Sequence, residues 1–162
     1  MSPEDPTNDP WLRRVQAMLA KAESTQFPAE AEALLAKAQE LMSRHAIDEA
    51  MLQSAGRAAS DAVTTTVVVT TAPYAGAKAS LLGAIAAANH CRVIMQTGGG
   101  GERGGRTCML VGHGSDIARV EVLFSALSLH ATRAMLAAEV PAHDTPRRFR
   151  HAFLLAFAGR IG

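Results

Sequence analysis

Leu12, Val15, Leu19 and Ala22 recur at three- and four-residue steps, the spacing that places side chains on one face of a helix. Leu34, Ala38, Leu41, Met42 and His45 repeat that spacing further on. Between the two runs, Ser24-Thr25-Gln26-Phe27-Pro28 stops one helix and starts another. Proline lacks an N–H and breaks a helix interior but suits its first turn, where Glu30 and Glu32 also favour the positive end of the helix dipole. A short imperfect repeat, Met18-Leu19-Ala20-Lys21-Ala22 against Leu34-Leu35-Ala36-Lys37-Ala38, pairs small alanines with leucines. That composition lets two helices approach closely while each lysine stays in solvent. The pattern predicts an αα-hairpin, with Asp9 capping its first helix, Pro10 in the first turn and a short third helix over Ile47–Gln53.

The period changes after Ala62. Val63–Thr71 is a run of β-branched residues, which are stiff at χ1 and favour a strand. Pro73-Tyr74-Ala75-Gly76 reads as a turn, Lys78–His90 as an alanine-rich buried helix, and Arg92–Thr97 and Arg106–Gly112 as short strands. Gly98–Gly105 between them is an exposed, flexible loop. Ile117, Val120, Leu123, Phe124, Leu127 and Ala131 mark a long helix over Gly114–Val140, broken by Pro141–Pro146. A last helix runs from Arg147, with Phe149, Phe153 and Phe157 on one face and Leu154 and Leu155 on the other. A helix apolar on two sides wants a partner on each, so a homodimer contact, another protein partner or further chain is expected there. The fold class is α+β: an N-terminal helical hairpin followed by a small antiparallel sheet packed with long helices. Residues 1–9 read as a disordered lead-in, 10–53 as the hairpin module, 54–62 as a linker and 63–162 as the α+β domain.

The hairpin stretch MLAKAESTQFPAEAEALLAKAQELMSRHAID resembles the signature of the domain-of-unknown-function family 2786, which occurs in bacteria and phages. The turn and the second-helix run ALLAKAQELM sit together in register, and the resemblance covers about forty residues. Leu110-Val111-Gly112 with Ser115-Asp116-Ile117-Ala118, and the helix over Phe149–Phe157, resemble the C-terminal region that often accompanies it. The resemblance implies a fold and carries no activity, cofactor or site residue.

Composition narrows the function classes. Hydrophobic residues make up 48% of the chain, but only one Trp, one Tyr and five Phe occur, so the core is light and aliphatic. A net charge of +1 provides no overall field for nucleic acid or a membrane surface. Two cysteines, Cys91 and Cys108, and no signal peptide point to a reducing cytoplasm. The longest apolar run, near Leu81–Ala88, falls short of the ~20 residues a membrane span needs, so a soluble protein without membrane contact is expected.

Candidate chemistry is sparse. A phosphate-cradling loop needs its glycines between a strand and a helix; GGGGERGG lies between two strands and reads as a hairpin tip, with Arg103 and Arg106 as a mobile basic finger. His113, Gly114 and Ser115 stand at a strand-to-helix junction where free N–H groups suit an anion or ligand, although Asp116 competes as a helix cap. No metal-ligand spacing occurs. His90, Cys91, Cys108 and His113 form one grouping that adjacent strands could assemble, but neighbouring strand residues point to opposite faces. Contiguous Ser, His and Asp at 113–116 cannot form a triad, and no nucleophile elbow is present, so no catalytic residue is assigned. Arg147, Arg148 and Arg150 open the last helix against its dipole, a placement that an acidic partner would offset. No aromatic residue interleaves with them for base stacking. These features predict a non-catalytic binding or assembly module contacting protein or nucleic acid, without cofactor. The alternative is a hydrolase or metal-dependent enzyme with its site at Gly112–Asp116.

Overall fold

The computed structural model describes residues 10–54, 62–96 and 104–161. The expected lead-in, the Asp9 cap, most of the linker, and the tip of the glycine loop with Arg103 lie outside the described residues. Among those described, the elements are α1 (Pro10–Ser24), α2 (Pro28–Ser54), β1 (Val63–Thr70), α3 (Ala75–Ala88), β2 (Arg92–Met95), β3 (Arg106–His113), α4 (Gly114–Ala137) and α5 (Pro146–Gly159). This is the expected α+β arrangement of a helical hairpin followed by an antiparallel sheet packed with long helices.

The hairpin follows its hydrophobic spacing. Leu12, Val15, Leu19 and Ala22 are all buried in α1; in α2 Ala38 is buried, Leu34, Leu41, Met42 and His45 are half-buried, and Leu35, outside the expected face, is buried as well. Pro28 opens α2 as its first residue, and Glu30 in that first turn binds back to Lys21 (3.1 Å) and to the Thr25 hydroxyl, closing the turn. Ile47–Gln53 does not form a third helix. It continues α2 to Ser54, because nothing from Ala46 to Gln53 removes an N–H or demands a left-handed backbone.

The sheet has the order β1-β3-β2, with β3 antiparallel to both neighbours. β1 and β2 therefore run parallel to each other on either side of β3, and α3 makes the crossover between them. Side chains alternate, so Val68, Thr70, Cys108, Leu110 and Gly112 face inward and are buried. The opposite face carries the half-buried Val67, Val69, Met109 and Val111, with Ile94 exposed. β2 stops at Met95, two residues short of the expected Thr97, and β3 reaches His113.

The hairpin and the sheet share one core. A single cluster joins Trp11, Leu12, Val15, Leu19, Leu35 and Ala38 to Val68, Leu110, Leu82, Ile85, Val120 and Phe124. A smaller cluster of Ala77, Ala131, Met135 and Leu154 lies where α3, α4 and α5 meet. Leu154 and Ala158 form the buried face of α5, while Phe153 and Phe157 pack at its margin and Leu155 stays 41% exposed. By length and composition, α4 is apolar enough to cross a membrane, unlike the run at Leu81–Ala88. In this fold Ile117, Val120, Phe124, Leu129, Ala131 and Met135 spend that apolar surface on the core.

α3 begins at Ala75, three residues before the expected start. The turn signals of Pro73, Tyr74 and Gly76 are real, but the special backbone falls on Tyr74 (φ 64°, ψ 32°), leaving Gly76 free to be helical. A bulky residue in the left-handed region costs roughly 1–2 kcal/mol. Tyr74 also occupies the N-cap position of α3 without a capping side-chain bond.

Candidate functional site

An open cleft of about 1160 Å³ lies between the C-terminal turn of α1, the residues leading into α3, and the first turn of α5. α1 contributes Ala20, Lys21, Glu23 and Ser24; Ala72, Pro73 and Tyr74 line another side; Thr145, Pro146, Arg147, Arg148, Arg150 and His151 line the third. Gly104, next to the glycine-rich segment, borders it as well. Four cations therefore meet in a protein whose net charge is only +1.

Their engagements differ. Arg147 is exposed and has no ion pair among the described residues. Arg148, also exposed, lies 3.8 Å from Asp144, a long contact at the surface that contributes little. Lys21 is tied to Glu30. Arg150 donates to the Glu23 carbonyl oxygen at 3.0 Å, so it braces the end of α1 as well as lining the cleft. Local sequence sets the start of α5: Thr145 is the N-cap, its hydroxyl accepts from the Arg148 N–H, and Pro146 has no N–H to satisfy. Arg106 does not line the cleft, but its guanidinium reaches the start of α3, with Nε 3.5 Å from where a Cβ on Gly76 would stand.

Beneath the cleft sits a carboxylate that sequence spacing passed over. Glu23 has no exposed side-chain surface. It accepts from Lys78 Nζ at 2.9 Å and from the Thr132 hydroxyl at 3.1 Å. Burial pushes its carboxyl above the ordinary range, against the pull of Lys78, Thr132 and Arg150. Gln16, Leu19, Phe124, Ser128 and Leu154 enclose with it a small cavity of about 20 Å³. Gln16 Nε2 and Ser128 Oγ are buried there without a hydrogen-bond partner. The signal was present in the chain: Leu12, Gln16, Leu19 and Glu23 step along one stripe, so two polar residues lie on the apolar face of α1.

An aromatic residue shares the cleft with the cations, although none interleaves with them in the linear order. Tyr74, more than seventy positions away in sequence, stands with its ring centroid 6.3 Å from that of His151, at an interplanar angle of 47°. Tyr74 packs on the Ala77–Met135–Leu154 cluster and lines the cleft.

The junction at Gly112–Asp116 is built differently from expectation. His113 is the N-cap of α4 in extended conformation, without a side-chain cap bond, and Asp116 in the first turn pairs with Arg119 at 2.8 Å instead of capping. Gly114 donates its N–H to the Ala62 carbonyl (3.2 Å), anchoring the junction to the start of β1, and Ser115 follows in the first turn. Cys91 Sγ lies against Gly112, so close that a Cβ there would come within 2.5 Å. Cys108 faces the same way from four residues earlier on β3, about 13 Å along the strand at strand rise. His113 belongs to the opposite face, and His90 is in an exposed turn with φ 60°. The four do not converge, and among the described residues no three His, Cys, Asp or Glu side chains form a metal-holding group. Burial raises both thiols, with Asp116 adding to the effect at Cys91, which keeps them protonated and poorly nucleophilic at neutral pH.

Fold and site together define an α+β protein with a basic cleft at the junction of its hairpin and body. Residues 11–49 match a family described as "protein of unknown function (DUF2786)". The match ends at residue 49 and gives no support for the companion region expected over residues 110–157. No curated protein and no solved structure matches the chain.

Proposed function

We propose that this protein is a non-catalytic module that binds nucleic acid by gripping its phosphate backbone in the basic cleft. The observation that carries this reading is the meeting of Lys21, Arg147, Arg148 and Arg150 from two helices remote in sequence, with Arg147 and Arg148 exposed and little compensated. Cations in the first turn of α5 oppose its dipole. Bound phosphates would offset that cost and release counterions, which makes such binding salt-dependent. Arg106, whose guanidinium reaches the start of α3, would extend the basic surface.

Fluorescence anisotropy with a labelled oligonucleotide across a salt series tests the reading. The logarithm of the association constant should fall linearly with the logarithm of salt. Replacing Arg147 and Arg148 together by alanine should lower the slope by about 1.4 for a single strand, at about 0.7 per phosphate contact. An unchanged slope in that variant would refute the cleft as the phosphate site.

A protein contact through α5 is a second reading, favoured by Leu155, which is 41% exposed on the side of the helix away from the half-buried Phe149–Phe153 ring pair. Sedimentation analysis distinguishes it: a dimer that Leu155→Lys dissociates would support a homodimer through this helix, and a monomer would exclude one.

A further inference from the structure

We infer that the ligand of the cleft is single-stranded nucleic acid, with one base stacked at Tyr74 and His151 while Arg147 and Arg148 hold the flanking phosphates. The inference rests on the phosphate-binding reading above and adds the base. Proteins that take up single strands combine a positive groove with aromatic side chains, because every base has a π-face. Both components occur here in one cleft. The two rings form a wedge 6.3 Å between centroids. A base sandwiched between parallel rings needs about 7 Å, two contacts of about 3.5 Å. His151 is exposed on the first turns of α5, so a rotamer change supplies the difference.

Tyr74 is the residue that makes the proposal specific. A left-handed N-cap ordinarily selects asparagine or glycine, which fit both the backbone and the capping role. Here that position carries the chain's single tyrosine, with its ring anchored on Ala77, Met135 and Leu154 at the cleft wall. The strained placement holds an aromatic surface beside the arginines. A duplex fits this arrangement poorly. Its bases are stacked inward, and proteins read it with helices or strands that protrude into a groove, whereas these cations line a concavity. The cleft, about 1160 Å³ and open to solvent, is larger than the roughly 300–1,000 Å³ pockets that enclose drug-sized ligands. That space suits a short strand of nucleotides.

The test uses the full chain and three probes at matched salt: labelled oligothymidylate, a hairpin duplex with equal phosphate number, and polyphosphate as a base-free competitor. Tyr74→Asn removes the ring and suits a left-handed cap, so it preserves the start of α3; His151→Ala is an exposed change that tests the second ring independently. The single strand should bind more tightly than the duplex. Each variant should weaken single-strand binding by about 5- to 150-fold, the loss of one base–aromatic stack, while polyphosphate binding stays at the wild-type level. Duplex binding as tight as single-strand binding, or variants that bind the single strand like wild type, would overturn the inference and leave the phosphate reading standing. Equal losses toward polyphosphate and oligothymidylate would also overturn it, since the rings would then be shaping the cleft only. Failure of the wild-type protein to bind any of the three would remove both.

Discussion

Replacing Glu23 by leucine should destabilise the protein by about 3 kcal/mol, and adding Lys78→Met should restore most of the loss. Glu23 is fully enclosed, and Lys78 retains 13% side-chain exposure at 2.9 Å from it. Removing one member of a buried pair leaves the other charge without compensation, at a cost of about 3–5 kcal/mol. The lower end applies here because Lys78 Nζ has a second acceptor, the Thr71 carbonyl at 3.4 Å, and some access to water. The Thr132 hydroxyl loses its acceptor as well, worth about 1 kcal/mol. Removing both charges replaces a costly desolvation with apolar contact against Leu19, Leu81 and Phe124, and exchanges of this kind are often neutral or stabilising by about 1–4 kcal/mol. Urea denaturation of the two single variants and the double variant gives the cycle. A double variant no more stable than Glu23→Leu alone would refute the account of the pair.

The same carboxylate makes stability fall with rising pH over its titration window. Burial, the largest influence, raises its folded pKa above the ordinary 4.5. Between the unfolded and folded values the native state holds a proton that the unfolded chain has released. The stability this group contributes is therefore complete below 4.5 and is lost as pH rises through the folded value. Glu23→Gln cannot titrate, so wild type should lose stability relative to it as pH rises over that window. Taking the difference cancels the opposite trend from Glu30 and Glu40, whose carboxyls are lowered by Thr25 and Lys21 and by Lys37 respectively. A wild type that gains on the glutamine variant with rising pH would contradict the burial argument.

Three further outcomes follow from local packing. Gly112→Ala would drive a Cβ to within 2.5 Å of Cys91 Sγ and should cost about 1–3 kcal/mol in thermal or urea unfolding; pairing it with Cys91→Ala should recover much of the loss. Ser128→Ala removes a buried hydroxyl that has no partner and inserts the best helix former, so it should stabilise by about 0.5–1.5 kcal/mol by the same assay. Thr145→Ala deletes the cap of α5 and should cost about 1 kcal/mol, with earlier hydrogen exchange at the Arg148 amide.

Periodicity made the architecture legible wherever one residue type decided the backbone. Pro28 fixed the restart of α2 and the β-branched run fixed β1, while α4, expected to reach Val140, ends at Ala137 ahead of the Pro141–Pro146 break. It misplaced the start of α3, because the turn read over Pro73-Tyr74-Ala75-Gly76 ends at Tyr74, whose left-handed backbone leaves Ala75 and Gly76 helical. The cleft was only partly visible. Arg147, Arg148 and Arg150 stood out as a cluster, but Lys21 looked like a solvated hairpin lysine. Nothing local relates Tyr74 to His151 or Glu23 to Lys78, since both pairs are created by the docking of α1 and α5 around α3. Glu23 alone left a trace, as an acidic residue on the buried stripe of α1.

That docking bears on where a function can reside. The family match covers residues 11–49, and this stretch supplies one wall of the cleft through Ala20, Lys21, Glu23 and Ser24. The other walls come from Pro73–Tyr74 and from Thr145–His151, outside the match. Among the described residues, Glu23 bonds to both neighbouring helices: its carbonyl accepts from Arg150 and its carboxylate from Lys78. Glu23, in the last turn of α1, thus ties that helix to α3 and α5. A hairpin separated from the body would keep its own turn, closed by Lys21, Thr25 and Glu30, and would lose the arginines and the tyrosine together. The chemistry proposed for this protein therefore belongs to the junction, and the hairpin's part in it is to present Lys21 and to hold the opposite wall in place through Glu23.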